Sequence, residues 1–420
     1  GGPMTTSSSY TIILQTECDR IASQTPTQRV VELRVCAPPA QVSIARAPLN
    51  LALVIDRSGS MSGHKLDFVK QAARHIVSLL TPADRVALVS FDDRVTVDAP
   101  GTCMDSAGRD RLNQAIDRLE AGNTTNLSGG WMQGCHLVAE HQTVGSLNRV
   151  LLLTDGLANR GITDEEELGT HARELATRGV ATSTFGVGMG FNEHLLETMA
   201  NLGSGNFYFI AEPADIPGIF AREFTEIAGV TARGVEVVID LPAHVHVEVM
   251  GGWRHELAGS RLHLFPGDLT NAREQEIYLK LLLPQSTGDA VLELHAHATA
   301  QSQQNTPLSA VTALTFTYAD SEVVAAAGRD AGLLQRAARV AMSDETNRAL
   351  RLERQGRREE AQVAMQRALQ ENLPNLPPED VERLEGISYR MHRGMQEDDR
   401  KSVQYDAYKA RRRREDSGNH

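Results

Sequence analysis

The chain has 420 residues and a formal net charge of -12, an acidic balance that excludes general nucleic-acid binding, because phosphate contacts need a basic face. Hydrophobic residues make up 41%, enough for two or three domains with their own cores, which excludes a disordered chain. The sequence has no apolar run long enough for a membrane-spanning helix, and Cys18, Cys36, Cys103 and Cys135 form neither a CxxC pair nor a disulfide scaffold, so reduced thiols are expected.

The N-terminus GGPMTTSSSY lacks a basic start leading into an apolar stretch. The expectation is a cytoplasmic protein made without a secretory signal, with GGP a vector-derived scar before a native Met4 and residues 1–8 disordered. SYTIILQT and TQRVVELRV read as two antiparallel strands within residues 9–47. A Pro-marked linker, APPAQVSIARAPL, follows.

From residue 48 to residue 230 the pattern changes to apolar runs alternating with helical stretches. LALVI, RVALVSF, RVLLLT and VATSTFGVG read as strands. Leu66, Val69, Ala73, Ile76, Val77 and Leu80 fall on one helical face, as do Leu112, Ile116 and Leu119. Thr163 and Glu166 suggest a capping box before a helix that ends on Gly179. Strands buried on both faces and alternating with helices imply an α/β doubly wound, mostly parallel sheet.

Between residues 231 and 319 the pattern reverts to β. GVEVVIDL, HVHVEVM, RLHLF, EQEIYLKLLL, AVLELHAHATA and SAVTALTFTYA occur at sandwich-like spacing. The two N-terminal strands need partners, so one antiparallel β-sandwich is expected, with the α/β domain inserted in it. Residues 320–415 read as a C-terminal α-helical hairpin, its arms separated by ENLPNLPPED, before a tail at 416–420. The basic run KARRRRED reads as a solvated helix end or a contact for an anionic partner.

The first strand of the α/β region ends in LALVIDRSGSMSG, which places Asp56, Ser58 and Ser60 just past its carboxyl end. Open α/β sheets bind their ligands there. Alternate residues of an extended turn can converge on one point, and three hard oxygen donors suit magnesium, manganese or calcium better than zinc. Alternatively, these side chains cap the next helix and satisfy its free amides. Two later loops offer more oxygens: Thr124 and Thr125 in AGNTTNLSGG, and Asp155 at the end of RVLLLTDG.

The ordered set DRSGS, TTN and TDG resembles the metal-ion-dependent adhesion site (MIDAS) of the von Willebrand factor type A (VWA) family. The resemblance implies that Ser58, Ser60 and Thr125 ligate a divalent cation, Mg2+ or else Mn2+ or Ca2+, with Asp56 and Asp155 bound through water or just behind. Thr125 is preferred to Thr124 because Thr125-Asn126 keeps the Thr-Asn pair of GTN in intracellular and bacterial members. KLDFVKQAARHIVSLLTPADRVALVSFDD and FPGDLTNAREQEIYLKLLLP are similar to the subgroup joined to a β-sandwich, which includes inter-alpha-trypsin inhibitor heavy-chain-like proteins, bacterial proteins labelled calcium-activated-channel-like and plant RING-containing relatives. Implied with the family is cation-dependent protein–protein binding without catalysis, as an adaptor, assembly or adhesion module. A partner's Glu or Asp would complete the metal shell; MoxR-type AAA+ ATPases are one implied partner class. The resemblance also suggests that the last helix before the sandwich, about residues 213–229, shifts when the site is filled.

Other chemistries fit less well. Ser60 has His64 four residues on, but GSMSG is not the G-x-S-x-G of a nucleophile elbow. FGVGMGFNE brings its third glycine one residue too early for a dinucleotide loop and reads as a loop at the rim of the metal site. His244 with His246 and His295 with His297 stand at period two, so each pair would share a strand face, solvated or clustered on a transition metal. A metal-dependent hydrolase would need a general base, for which Asp92, Asp93 and His64 are the nearest candidates. A structural subunit with a vestigial metal site is the remaining alternative.

Overall fold

The structure is a computed structural model that describes residues 10–412. The expected scar and disordered N-terminus, the tail and the arginines beyond Arg412 lie outside the described residues. Strands β1 (Thr11–Thr16), β2 (Arg20–Ala22) and β3 (Thr27–Cys36) open the chain. Next come β4 (Leu49–Asp56), α1 (His64–Leu79), β5 (Arg85–Phe91), β6 (Val95–Cys103), α2 (Ser106–Asp117), α3 (Leu127–Glu140), β7 (Leu147–Thr154), α4 (Glu165–Thr177), β8 (Val180–Val187), α5 (Glu193–Leu202), β9 (Ser204–Ile210) and α6 (Ile216–Ala228). The chain divides into two compact units, one comprising residues 40–234 with 301–306 and the other the rest.

In the first unit the strand order is β6-β5-β4-β7-β8-β9. All neighbours are parallel except β6, which lies antiparallel on β5. Every residue of β4 and β7 is buried, which explains why their central stretches LALVI and VLLL read as apolar runs rather than alternations. Leu51, Leu53 and Ile55 of β4 join Val69, Ala73 and Ile76 of α1 and Phe220 and Ile227 of α6 in one core. On α3, Gly134 lets the helix approach β4, since a Cβ there would fall 2.4 Å from Val54. Helix α4 is capped by Asp164, whose side chain accepts from the Glu167 amide. This corrects the Thr163 capping box by one residue; Asp is as good an acceptor and already lies in the β conformation an N-cap needs.

The chain runs from β4 out to β5 on one side and returns to β7 on the other. The strand order therefore reverses between β4 and β7, the point at whose carboxyl edge open α/β sheets place their ligand crevices. Parallel register sets Ile55 beside Leu153, so Asp56 and Thr154 come level at that edge.

The second unit adds β10 (Val230–Asp240), β11 (His246–Val249), β12 (His255–Ala258), β13 (Arg261–Thr270), β14 (Glu274–Leu283), β15 (Val291–Gln301) and β16 (Pro307–Ala319). Its two sheets run β1-β3-β14-β11 and β12-β13-β10-β15-β16-β2, so strands from before and after the α/β region pair directly, as Cys36 does with Glu274 and Thr27 with Leu283. β2 and β12 are absent from the sequence expectation: β2 is three residues long, pairing parallel with β16, and β12 is exposed throughout and has no apolar alternation.

Helices α7 (Ser321–Ala326), α8 (Ala331–Arg354), α9 (Arg358–Asn372), α10 (Pro378–Arg393) and α11 (Glu397–Arg412) complete the chain. Each arm of the expected hairpin is thus divided. Gly356 (φ 79°) breaks the first and Gly394 (φ 92°) the second, both in the left-handed region that glycine adopts at low cost. The buried Glu353 carboxylate accepts from the Met395 amide at 3.1 Å and from Arg400, which fixes the second break. Among the described residues no helix is long and apolar enough to cross a membrane.

Candidate functional site

The loop after β4 is shaped by Asp56. Fully buried at the strand end, its Oδ1 accepts from the Ser58 amide at 2.7 Å and its Oδ2 from Thr154 Oγ1 at 2.7 Å. The first bond turns the chain and the second ties β4 to β7. Burial pushes the Asp56 carboxyl above the ordinary aspartate range and the nearby Asp155 charge adds to this, against the hydrogen bonds from Ser58 and Thr154. Met61, fully buried, then anchors a short turn at Gly59–Met61.

Ser58 and Ser60 do not cap a helix. Ser58 precedes the short turn without a side-chain cap bond, and α1 begins after Gly63. Their hydroxyls instead lie 3.1 Å apart, and Ser60 Oγ donates to Asp155 Oδ1 at 2.8 Å. Lys65, in the first turn of α1, donates to the other Asp155 oxygen at 2.8 Å. Asp155 and Ser58 are buried and Ser60 is exposed, so the cluster opens outward at Ser60.

Thr125 is buried where Thr124 is exposed. A Cβ on Gly156 would lie 3.8 Å from Thr125 Oγ1, which puts that hydroxyl next to the Asp155 loop. Asn159 holds it there, its side chain accepting from the Thr125 amide at 3.1 Å and its own amide donating to the Thr125 carbonyl at 3.3 Å. The structure thus brings Asp56, Ser58, Ser60, Thr125 and Asp155 to one crevice from three loops.

Asp92 and Asp93 follow β5. The Asp92 carboxylate accepts from Arg57 at 3.1 Å, the Arg94 amide at 2.9 Å and the Asn123 amide at 3.2 Å. Burial alone would push this carboxyl up, yet those amides and the Arg57 guanidinium hold it below the usual range. The Asp92 carbonyl accepts from Asn126, and Arg57 and Gly122 share a further backbone bond. Asp92 is therefore a knot between loops. Among the described residues no hydrogen bond joins His64 or Asp93 to the cluster, and Ser60 meets Asp155 rather than His64. The glycine loop after β8 lies against the cluster, since a Cβ on Gly190 would fall 2.8 Å from the Asp155 carbonyl.

The histidine pairs separate. His244 occupies a turn (φ 64°) ahead of β11, which begins at His246, so these two do not share a strand face. His244 and His295 line one pocket, but β11 and β15 belong to different sheets and no four-histidine cluster forms among the described residues. On β15, His295 lies 3.3 Å from Glu293 and His297 bonds Ser309. Among the described residues no group of three or more His, Cys, Asp or Glu could hold a metal ion; the crevice combines two carboxylates with neutral hydroxyls. Sequence reasoning missed Lys65 and Asn159, and it weighed Asp92 only as a base.

A doubly wound sheet with this oxygen cluster at its reversal point defines the class. Residues 50–222 match the family model of the von Willebrand factor type A domain; this part of the chain is a VWA domain. The chain is 30% identical to YfbK of Escherichia coli over 201 residues, covering 47% of this chain and 34% of that protein. It is 28% identical to sll0103 of Synechocystis over 53% of this chain and 52% of that one. Inter-alpha-trypsin inhibitor heavy chain H1 of Sus scrofa matches at 26% over 59% of this chain and 29% of its own length. The chain therefore spans about a third to a half of these relatives. Among solved structures, a von Willebrand factor type A protein from Catenulispora acidiphila superposes with a TM-score of 0.71 at 16% identity, covering 89% of this chain and 88% of that one. The ArnB paralog VWA2 from Sulfolobus acidocaldarius gives 0.64 at 18% identity, with 96% and 98% covered. The likeness to both is one of fold.

Proposed function

We propose that the chain is a divalent-cation-dependent protein-binding module. Ser58, Ser60 and Thr125 would give hydroxyl ligands, Asp56 and Asp155 would receive metal-bound water, and a Glu or Asp of a protein partner would complete the shell. The observation that carries this reading is the convergence of these five side chains from three loops at the β4/β7 reversal. The donor set is all oxygen, which suits a hard cation. The Ser58 and Ser60 hydroxyls, 3.1 Å apart, are close enough to face one hard cation.

When bound, the ion supplies an electrophilic position held by exchangeable water. Asp56 and Asp155 orient the hydroxyls around it, and the outward opening at Ser60 admits a carboxylate. Hydrolysis would need a base beside that opening, and the Asp92 carboxylate is committed to three donors; binding without turnover is the reading this favours. An adaptor or assembly role beside a MoxR-type ATPase, in a cytoplasm, belongs to the same proposal.

The test is Mn2+ titration followed by water-proton relaxation on wild type, Ser60→Ala and Asp56→Ala, each verified as folded by circular dichroism. One-site binding in wild type with loss in both variants is expected. Equal binding in all three would refute the site. Capture of a candidate ATPase in magnesium but not EDTA would extend the result to a partner.

A further inference from the structure

We propose that Lys65 sets both the cation affinity of this site and its preference for an anionic partner; this deepens the cation reading above and rests on it. Lys65 Nζ lies 2.8 Å from Asp155 Oδ2, with the Asp155 side chain 1% and the Lys65 side chain 29% exposed. The contact differs from a surface ion pair, because the Asp155 carboxylate is buried. Lys65 stands in the first turn of α1, its head bonds Asp155, and the loop after β8 passes near it, a Cβ on Gly188 falling 4.0 Å from Nζ. Lys65 thus occupies the Asp155 oxygen that Ser60 leaves, and a divalent ion must bind beside an ammonium it cannot displace without breaking this pair.

Formal charges give the consequence. Asp56, Asp155 and Lys65 sum to minus one. A divalent ion brings the cluster to plus one, and one carboxylate from a partner brings it to neutrality. Arg57 and Asp92, the neighbouring charged pair, cancel each other at 3.1 Å. Without Lys65 the metal-loaded cluster would already be neutral, and an added carboxylate would leave it negative in a partly buried crevice. Lys65 therefore weakens the cation and strengthens the acidic ligand. It is a positioning and charge-setting residue outside the ligand set, which explains why a motif of hydroxyls and aspartates does not reveal it.

The two effects have opposite signs, and that makes the test sharp. Mn2+ is titrated into wild type, Lys65→Met and Lys65→Arg under water-proton relaxation, and acetate is then titrated into each Mn2+-saturated protein. Lys65→Met should bind Mn2+ roughly tenfold more tightly and acetate several-fold more weakly, as expected for loss of a nearby like charge in partial solvent screening. Lys65→Arg should keep both constants near wild type. Lys65→Gln, which retains a donor to Asp155, repeats the neutral arm if the Met variant does not fold. Mn2+ affinity in the neutral variants equal to or below wild type, or acetate bound more tightly, would overturn the role of Lys65. Wild type that binds no Mn2+ would defeat the cation reading itself.

Discussion

Replacing Glu223 with alanine should unfold the VWA domain more readily than any change in the metal loops. Glu223, on α6, is fully buried. Its carboxylate accepts from Arg149 of β7 at 2.9 Å, Ser183 of β8 at 2.8 Å and Asn206 of β9 at 3.0 Å, and from Tyr208 of β9. One side chain thus holds α6 to three consecutive strands. Arg149 is also buried, and removing one partner of a buried ion pair costs about 3–5 kcal/mol. That is a large share of a domain's net stability of about 5–15 kcal/mol. Urea denaturation followed by tryptophan fluorescence measures the loss. The double variant Arg149→Met with Glu223→Leu should recover the part due to the charge, because a buried pair replaced by apolar groups of similar size leaves no charge uncompensated, while Ser183, Asn206 and Tyr208 still lose an acceptor. A loss below about 1 kcal/mol for Glu223→Ala, the value of an exposed pair, would refute the reasoning. A double variant as unstable as the single one would show that the donors of Ser183, Asn206 and Tyr208, left without this acceptor, carry the loss rather than the charge.

Three more outcomes are expected. Thr125→Val should abolish Mn2+ binding while Thr124→Val leaves it within about twofold, since only Thr125 is buried beside Gly156; calorimetry decides between them. Gly122→Ala should lower both melting temperature and Mn2+ affinity, because its Cβ would sit 2.0 Å from Asp92 Oδ2 and pull the Thr125 loop from its knot. Burial alone would raise the Asp84 carboxyl, but the Arg46 guanidinium and the amides of Thr81 and Leu49 hold it below its ordinary range. A lowered carboxyl stabilises above its unfolded pKa of about 3.9, and that stability fades as pH falls through the lower folded value. The stability gap between wild type and Asp84→Asn, measured by urea titration, should therefore be full at pH 7 and shrink below about pH 4.

The frame of the candidate site was legible in sequence because it is written in strong signals. The central stretches of buried strands such as β4 and β7 are continuous apolar runs, and each strand ends on an oxygen-bearing residue. What escaped depends on distance in space rather than spacing in the chain. Lys65 reads as one more charged residue on a helix face, and only the level register of β4 and β7 brings Asp155 to it. Asn159 sits in a loop of polar residues, and its role needs Thr125, over thirty positions away. In the C-terminal region Gly356 and Gly394 lie within helical patterns, where an isolated glycine is tolerated; the break at Gly394 is fixed by Glu353 reaching Met395 across the fold. β12 has no buried face and so no apolar period to read.

These observations separate two jobs within the crevice. The frame is held by groups that would not touch a cation directly: Asp56 fastens β4 to β7, Asp92 knots the loops after β4 and β5 to the Thr125 loop, and Asn159 joins Thr125 to the Asp155 loop. The hydroxyls of Ser58 and Ser60 bond each other and Asp155, the groups that would meet the proposed ligand. A loop set fastened by its own hydrogen bonds would, on the proposed reading, let a cation come and go with a partner. Preorganisation of this kind lowers the ordering cost of docking, and it places control of affinity in charge balance. Lys65 is the residue positioned to set that balance, since it alone of the groups that touch Asp155 in the described structure carries a positive charge.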